Sequence, residues 1–289
     1  MPADSLDKRH DDLLRIVDDL GSVVVGFSAG ADSTLLLKVA ADRLKDRVIA
    51  VTAVSPSYPE RDRVEAVRLA EEIGVRHILV DSHELENPSY IANAVNRCFF
   101  CKRELFDLLW SAARTNGMAT VAYGAILDDL GDFRPGMDAA RQAGARAPLL
   151  EAGFSKQDVR EVSKRLGLST WDRPASACLS SRIPHGTAID PNDLSRVERA
   201  EDFLLLHGLG QVRVRIHGDV ARIECPVASL PRLVEPGFRE ALLARFKELG
   251  FRFVTVDLEG YRTGSLNLVS VAAQPTLTRS GAPETLPRD

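Results

Sequence analysis

The chain carries 289 residues, 45% hydrophobic and 27% charged, with a formal net charge of −4. That composition is ordinary for a globular protein of two domains at about 150 residues each, and its slight acidity argues against a large nucleic-acid footprint. No apolar run approaches the roughly 20 residues that span a bilayer, and the polar start MPADSLDKRHDD lacks a secretory core, so a cytoplasmic protein without a membrane segment is expected.

Residues 23–28 read as a buried strand and 33–45 as a helix, with Leu35, Leu36, Val39 and Ala40 at helical spacing. RVIAVTAVS (47–55) is a second strand. An amphipathic helix follows over 59–74, with Pro59 at its start and Gly74 at its end. VRHILVDS (75–82) is a third strand, 102–114 a helix and MATVAYG (118–124) a fourth strand. This alternation predicts an α/β fold, a doubly wound parallel sheet with ligands beyond the strand C-termini. After SRIPHGTAIDP the pattern changes to a charged helix (191–207), two strands joined at His217-Gly218-Asp219, a helix over about 228–249 and the strand FRFVTVDLEG. The expected organisation is therefore a first domain over 1–185, a smaller α+β domain over 186–267 for substrate binding or oligomerisation, and a polar, disordered tail over 268–289.

The first strand runs into SAGADS (28–33), where small residues let backbone N–H groups approach an anion and the helix adds its positive end. Ser28, Ala29, Gly30, Ala31, Asp32 and Ser33 are thus candidate phosphate-binding residues; a tight strand–helix turn in a core is the plain alternative. The spacing is neither that of Walker A nor of G-x-G-x-x-G. It resembles the SGGxDS loop of PP-loop ATP pyrophosphatases, with Ala29 where glycine is usual.

Further segments extend the resemblance: AVSPSYPERD (53–62), NRCFFCKRELF (96–106), YGAILDDLGDFRPG (123–136), APLLEAGFSKQDVRE (147–161), TWDRPASACLSSRIPHGT (170–187), QVRVRIHGDVARIE (211–224) and GYRTGSLN (260–267). In this order they resemble the LarE family of ATP-dependent sulfur transferases, which mature the nickel-pincer cofactor of lactate racemase. The resemblance spans about residues 10 to 267. It implies that ATP adenylates the carboxylates of pyridinium-3,5-biscarboxylic acid mononucleotide and that a thiol then displaces AMP, leaving thiocarboxylates. It also implies a homo-oligomer, a small-molecule substrate rather than nucleic acid, and maturation partners that include a carboxylase/hydrolase and a nickel insertase.

Within that reading Gly124 joins the ATP-binding loop, and Asp32, Asp128 and Asp129 could hold Mg²⁺ through oxygen ligands. A solvated turn explains Asp128 and Asp129 equally well. The family often has Asn where Ile126 stands. Cys178 matches the family's sulfur donor, whose Cβ–S bond breaks to leave dehydroalanine; Arg173 and Arg182 nearby would favour its thiolate. A buried small hydrophobe is the alternative for a lone cysteine. Arg213 and Arg215 alternate on one strand face and are expected to clamp the substrate's phosphate, against the ordinary reading of a solvated face. Glu201 and Glu224 are weaker candidates for positioning or proton removal. Cys98 and Cys101 form CFFC, too few for a zinc site, but with Cys178 they make three thiols that could hold a [4Fe–4S] cluster open at one iron. Two rivals stand beside this reading: a PP-loop enzyme of tRNA thiolation, and a non-catalytic nucleotide-binding module like the universal stress proteins.

Overall fold

The computed structural model describes residues 3–131, 135–174 and 176–262; the expected tail over 268–289 lies outside them. The first half runs α1 (Ala3–Asp18), β1 (Val23–Gly26), α2 (Ala31–Leu44), β2 (Val48–Val54), α3 (Glu60–Ile73), β3 (Arg76–Asp81), α4 (Pro88–Ile91), α5 (Arg97–Thr115) and β4 (Thr120–Ala122). It continues with α6 (Pro135–Gln142), α7 (Pro148–Glu151) and α8 (Lys156–Arg165). The second half is α9 (Pro191–Leu206), β5 (Arg213–His217), β6 (Val220–Glu224), α10 (Leu230–Leu233), α11 (Pro236–Glu248) and β7 (Phe253–Val256).

Four parallel strands form the first sheet in the order β3-β2-β1-β4. The central strand is all β-branched up to its glycine because both its faces are covered. Val23 and Val25 enter a core with Leu13, Val17, Leu35, Leu36 and Val159, while Val24 joins Ile49, Val51, Phe106 and Leu109 on the other side. From β1 the chain winds one way through β2 and β3, then crosses back to β4. The crevice at this reversal, beyond the end of β1, is where such sheets bind ligands, and SAGADS lies there.

The second sheet has the order β5-β6-β7, with β5 antiparallel and β7 parallel to β6. Its core takes Leu194, Val197, Ala200 and Leu204 from α9 and Leu242 and Phe246 from α11. It also takes Tyr90, Leu179 and Ile183, so residues before position 186 complete the second core.

Three elements depart from the sequence reading. α1 was not foreseen. The helix expected from 102 begins at Arg97, which puts Cys98 and Cys101 inside α5. The helix expected over 228–249 is two, divided at Val234-Glu235, with Pro236 opening the second. Among the described residues no helix is long and apolar enough to cross a membrane.

Candidate active site

The phosphate loop closes on itself through Ser33. Its Oγ accepts from Ser28 N at 3.3 Å, lies 3.2 Å from Ser28 Oγ and donates to Gly30 O at 3.2 Å. Ala29 has φ +57°, in the left-handed region, with its methyl buried. The position suits glycine for backbone reasons, and alanine carries a local strain there. Gly124 is fixed by close approach. A Cβ there would lie 2.8 Å from Ser33 N and 3.0 Å from Asp32 C, both backbone atoms at the head of α2. Ile126, where the family often has Asn, is buried in the first core and offers no polar side chain.

Asp32 is not waiting for a metal alone. Both its carboxylate oxygens accept from Lys156 Nζ at 2.9 Å, and Lys156 N donates to Asp128 Oδ2 at 2.8 Å. Lys156 therefore stands between Asp32 and Asp128. Asp129 does something else: its Oδ2 accepts from Ile126 N at 3.0 Å and shapes the turn after β4. No group of three His, Cys, Asp or Glu residues suited to a metal ion occurs among the described residues. The three-aspartate set is thus not assembled; Asp32 and Asp128, together with phosphate oxygens, remain a fitting donor pair for Mg²⁺.

Cys178 is half-buried on an irregular segment. Arg182, with no solvent exposure, grips that segment by its main chain, donating from Nη1 to Ala177 O at 2.7 Å and Cys178 O at 2.9 Å. Its other nitrogens donate to Glu201 at 2.8 Å each. Glu201 also accepts from Arg61 Nη2 and Val214 N, each at 3.0 Å. Burial alone would raise its pKa, but Arg182, then Arg213 and Arg61, hold it below the usual carboxylate range. A saturated, sealed carboxylate of this kind positions; it is poorly placed to remove a proton.

Arg173 and Arg182 do not serve Cys178 as expected. Arg173 is engaged by Asp62 and Glu65. The cation in electrostatic contact with Cys178 is Arg97, which lies at the start of α5 and is 4% exposed. Burial opposes its charge, yet negative charge on Cys178 and then Cys98 keeps its pKa above the ordinary value. Arg97 also donates to Ser180 O at 3.0 Å and to Asn93 Oδ1. Tyr90 completes the surroundings, its hydroxyl 2.7 Å from Ser180 Oγ. The Cys101 thiol is pushed well up by burial first and then by the carboxylate of Glu84. Glu84, itself buried, accepts from Ser55 Oγ at 2.7 Å and from Ser57 Oγ. Cys98 is exposed. Cys178 interacts with Arg97 and with Cys101, and Cys98 with Arg97, while no ready group of three metal-binding side chains occurs among the described residues.

The arginine pair on β5 divides its work. Arg215 donates to Glu224 from Nε at 3.1 Å and Nη2 at 2.9 Å, and to Ser181 O at 2.6 Å. Glu224, fully buried, also accepts from Arg222 at 3.0 Å. Arg213 instead lies over the ring of Tyr261, 5.2 Å from its centroid, and lines a cavity of about 410 Å³ with Arg61, Asp62, Arg173, Ser176 and Gln211. A joint clamp on one phosphate is therefore not what the structure presents: Arg213 faces the cavity and Arg215 is tied into the protein. Lys156, Arg97, Asp62 and Glu84 escaped the sequence reading, since their partners lie far away along the chain.

Comparison with known proteins follows these features. The NAD synthase family model matches residues 11–95, the stretch that contains the phosphate loop. Over 264 residues the chain is 44% identical to an uncharacterised protein of Synechocystis, covering 91% of this chain and 98% of that protein. It is 39% identical over 263 residues to pyridinium-3,5-bisthiocarboxylic acid mononucleotide synthase of Lactiplantibacillus plantarum, covering 91% of this chain and 95% of that enzyme. An uncharacterised protein of Methanocaldococcus jannaschii is 26% identical over 241 residues. With a PP-loop at the sheet's switch point and likeness to that synthase along nearly its whole length, the chain belongs to the LarE family of the PP-loop superfamily.

Proposed function

We propose that this protein uses ATP and Mg²⁺ to adenylate the carboxylates of pyridinium-3,5-biscarboxylic acid mononucleotide and converts them to thiocarboxylates with sulfur from Cys178. The observation that carries the reading is the hold on Cys178: Arg182 donates to its carbonyl at 2.9 Å, and buried Arg97 donates to the carbonyl of Ser180, two residues on, at 3.0 Å. A carboxylate resists thiolate attack because oxide is a poor leaving group. Adenylation replaces it with AMP and expels pyrophosphate into the N–H cradle of the loop. Mg²⁺, when bound at Asp32 and Asp128, neutralises phosphate charge. Lys156, which reaches Asp32 at the head of the loop, is placed to meet a phosphate oxygen. The Cys178 thiolate then displaces AMP to give a thioester. Loss of the Cα proton breaks the Cβ–S bond, leaving thiocarboxylate on the product and dehydroalanine at position 178. Arg213, on the cavity wall, is the candidate for the substrate's phosphate. In this reading the protein works in the cytoplasm, as a homo-oligomer, between a carboxylase/hydrolase and a nickel insertase.

A second reading has Cys98, Cys101 and Cys178 hold a [4Fe–4S] cluster; the proximity of all three to Arg97 or to one another favours it, and it requires the Cys101 thiol to leave Glu84. Intact-mass measurement after turnover, with iron analysis of anaerobically purified protein, tests both. Loss of the elements of H₂S located at residue 178 supports the sacrificial route, and about four irons per chain the cluster. Product formed with neither result refutes both.

A further inference from the structure

Asp62 lies in the first turn of α3 and is 4% exposed. A carboxylate there would ordinarily serve its own helix N-terminus. Its two oxygens go elsewhere. Oδ1 accepts from Arg173 Nη2 at 3.0 Å and Oδ2 from Ser176 Oγ at 2.5 Å. Both donors lie shortly before Cys178, and residues 173, 174 and 176–178 belong to no helix or strand. The same stretch before α3 supplies two more ties. Ser57 O accepts from Leu179 N at 2.8 Å, on the far side of Cys178, and the Tyr58 hydroxyl donates to Ser28 O in the phosphate loop at 3.2 Å. Residues 57–62 therefore touch the phosphate loop at one end and bracket Cys178 at the other.

We propose that Asp62 is a positioning residue for sulfur transfer, fixing the 173–178 segment so that Cys178 meets the adenylate formed at the phosphate loop. The proposal rests on the reading of Cys178 as sulfur donor. An irregular segment loses its freedom only where side chains hold it. Here a buried carboxylate makes two bonds to it, both charge-assisted and both too enclosed for water to replace cheaply. The position of the tie also predicts which half of the reaction depends on it. ATP cleavage draws on the loop, Gly124 and Lys156, none of which bonds to Asp62. Capture of the adenylate draws on the place of the sulfur atom.

The test uses the full-length protein with Asp62→Asn and, as a milder variant that keeps the buried carboxylate, Ser176→Ala. Two quantities are read. The first is alkylation of Cys178 by iodoacetamide without ATP, relative to exposed Cys98 in the same sample. The second is thiocarboxylate formed per pyrophosphate released. Asp62→Asn should raise the alkylation ratio and lower the transfer ratio, each by about tenfold, the size set by one charge-assisted bond. Ser176→Ala should shift both the same way by about threefold, as loss of one of the two bonds to the retained carboxylate predicts. Pyrophosphate release and transfer falling in step, with the alkylation ratio unmoved, would overturn the proposal and leave Asp62 a structural ion pair. A wild-type protein that forms no thiocarboxylate sinks the sulfur-donor reading instead, and the alkylation ratio still decides whether the tether exists.

Discussion

Arg182 and Glu201 meet as two flat groups, Nε and Nη2 each 2.8 Å from a carboxylate oxygen, and neither side chain reaches solvent. A buried pair of this kind matters less for its own attraction than for what its rupture leaves behind. Glu201→Gln would strand the charge of Arg182 in a closed site, while Arg61 keeps Asp202. The expected loss of stability is about 3–5 kcal/mol, read as a lower urea midpoint at unchanged slope. A shift under about 1 kcal/mol would mean that water enters the site.

The same residue gives a pH dependence. Burial works to raise the pKa of Glu201, but Arg182, Arg213 and Arg61 outweigh it, so the folded value lies below the unfolded one. A depressed carboxylate contributes stability that is present above its unfolded pKa of about 4.3 and is lost as the pH falls through the folded value. Wild-type stability should therefore decline more steeply than that of Glu201→Gln below about pH 4.3. Parallel curves in acid would assign the decline to other carboxylates.

Gly124 should tolerate no side chain. Its Cβ would meet the backbone of Asp32 and Ser33, not the tip of a flexible side chain. Gly124→Ala must displace the head of α2, so ATP-dependent pyrophosphate release should fall by at least about tenfold, with a stability loss of about 1–3 kcal/mol for overpacking. Wild-type release by the variant would show that the loop is not held against β4.

Lys156 and Asp32 separate stability from chemistry. Each side chain is about one-quarter exposed, 27% and 26%, so the ion pair should contribute no more than about 1 kcal/mol to folding. Lys156→Met is expected to melt within a few degrees of wild type yet to release pyrophosphate at least about a hundredfold more slowly, as loss of one cation at a transferring phosphate predicts. A melting shift without a rate change would make the pair structural.

The two arginines of β5 should part company. Arg213→Ala is expected to raise the substrate concentration needed for half-maximal rate, because its side chain lines the cavity, and to cost some stability through its lost support of Glu201. Arg215→Ala removes two bonds to fully buried Glu224 and one to Ser181 O, and should destabilise by about 3 kcal/mol before any effect on substrate. Similar kinetic defects at equal stability would restore the joint phosphate clamp.

The sheet was legible because β1 and β2 are almost wholly apolar and rich in β-branched residues, a pattern that a covered parallel strand needs. α1 escaped because its charged residues mask the stripe of Leu6, Leu13 and Val17 that packs on the first core. Arg213 and Arg215 were legible as a pair on one strand, since alternation follows from the pleat. Their different partners were not, because strand periodicity says nothing of what lies opposite. Lys156 and Asp32 stand 124 positions apart, and Arg97 reads as one more basic residue until α5 is seen to begin there. Side-chain pairing across such separations belongs to the assembled fold.

Arg182 holds the Cys178 segment by peptide oxygens, not by sulfur. That grip is indifferent to what happens at the side chain. If Cys178 is the sulfur donor proposed above, a chain that has surrendered its sulfur would keep the same anchorage, the same phosphate loop and the same cavity. Such exhausted molecules would stay folded and go on occupying nucleotide and substrate, so yield per chain would be capped while a growing pool of inert look-alikes competes with fresh protein. Progress curves would then bend earlier as spent chains are added at the start.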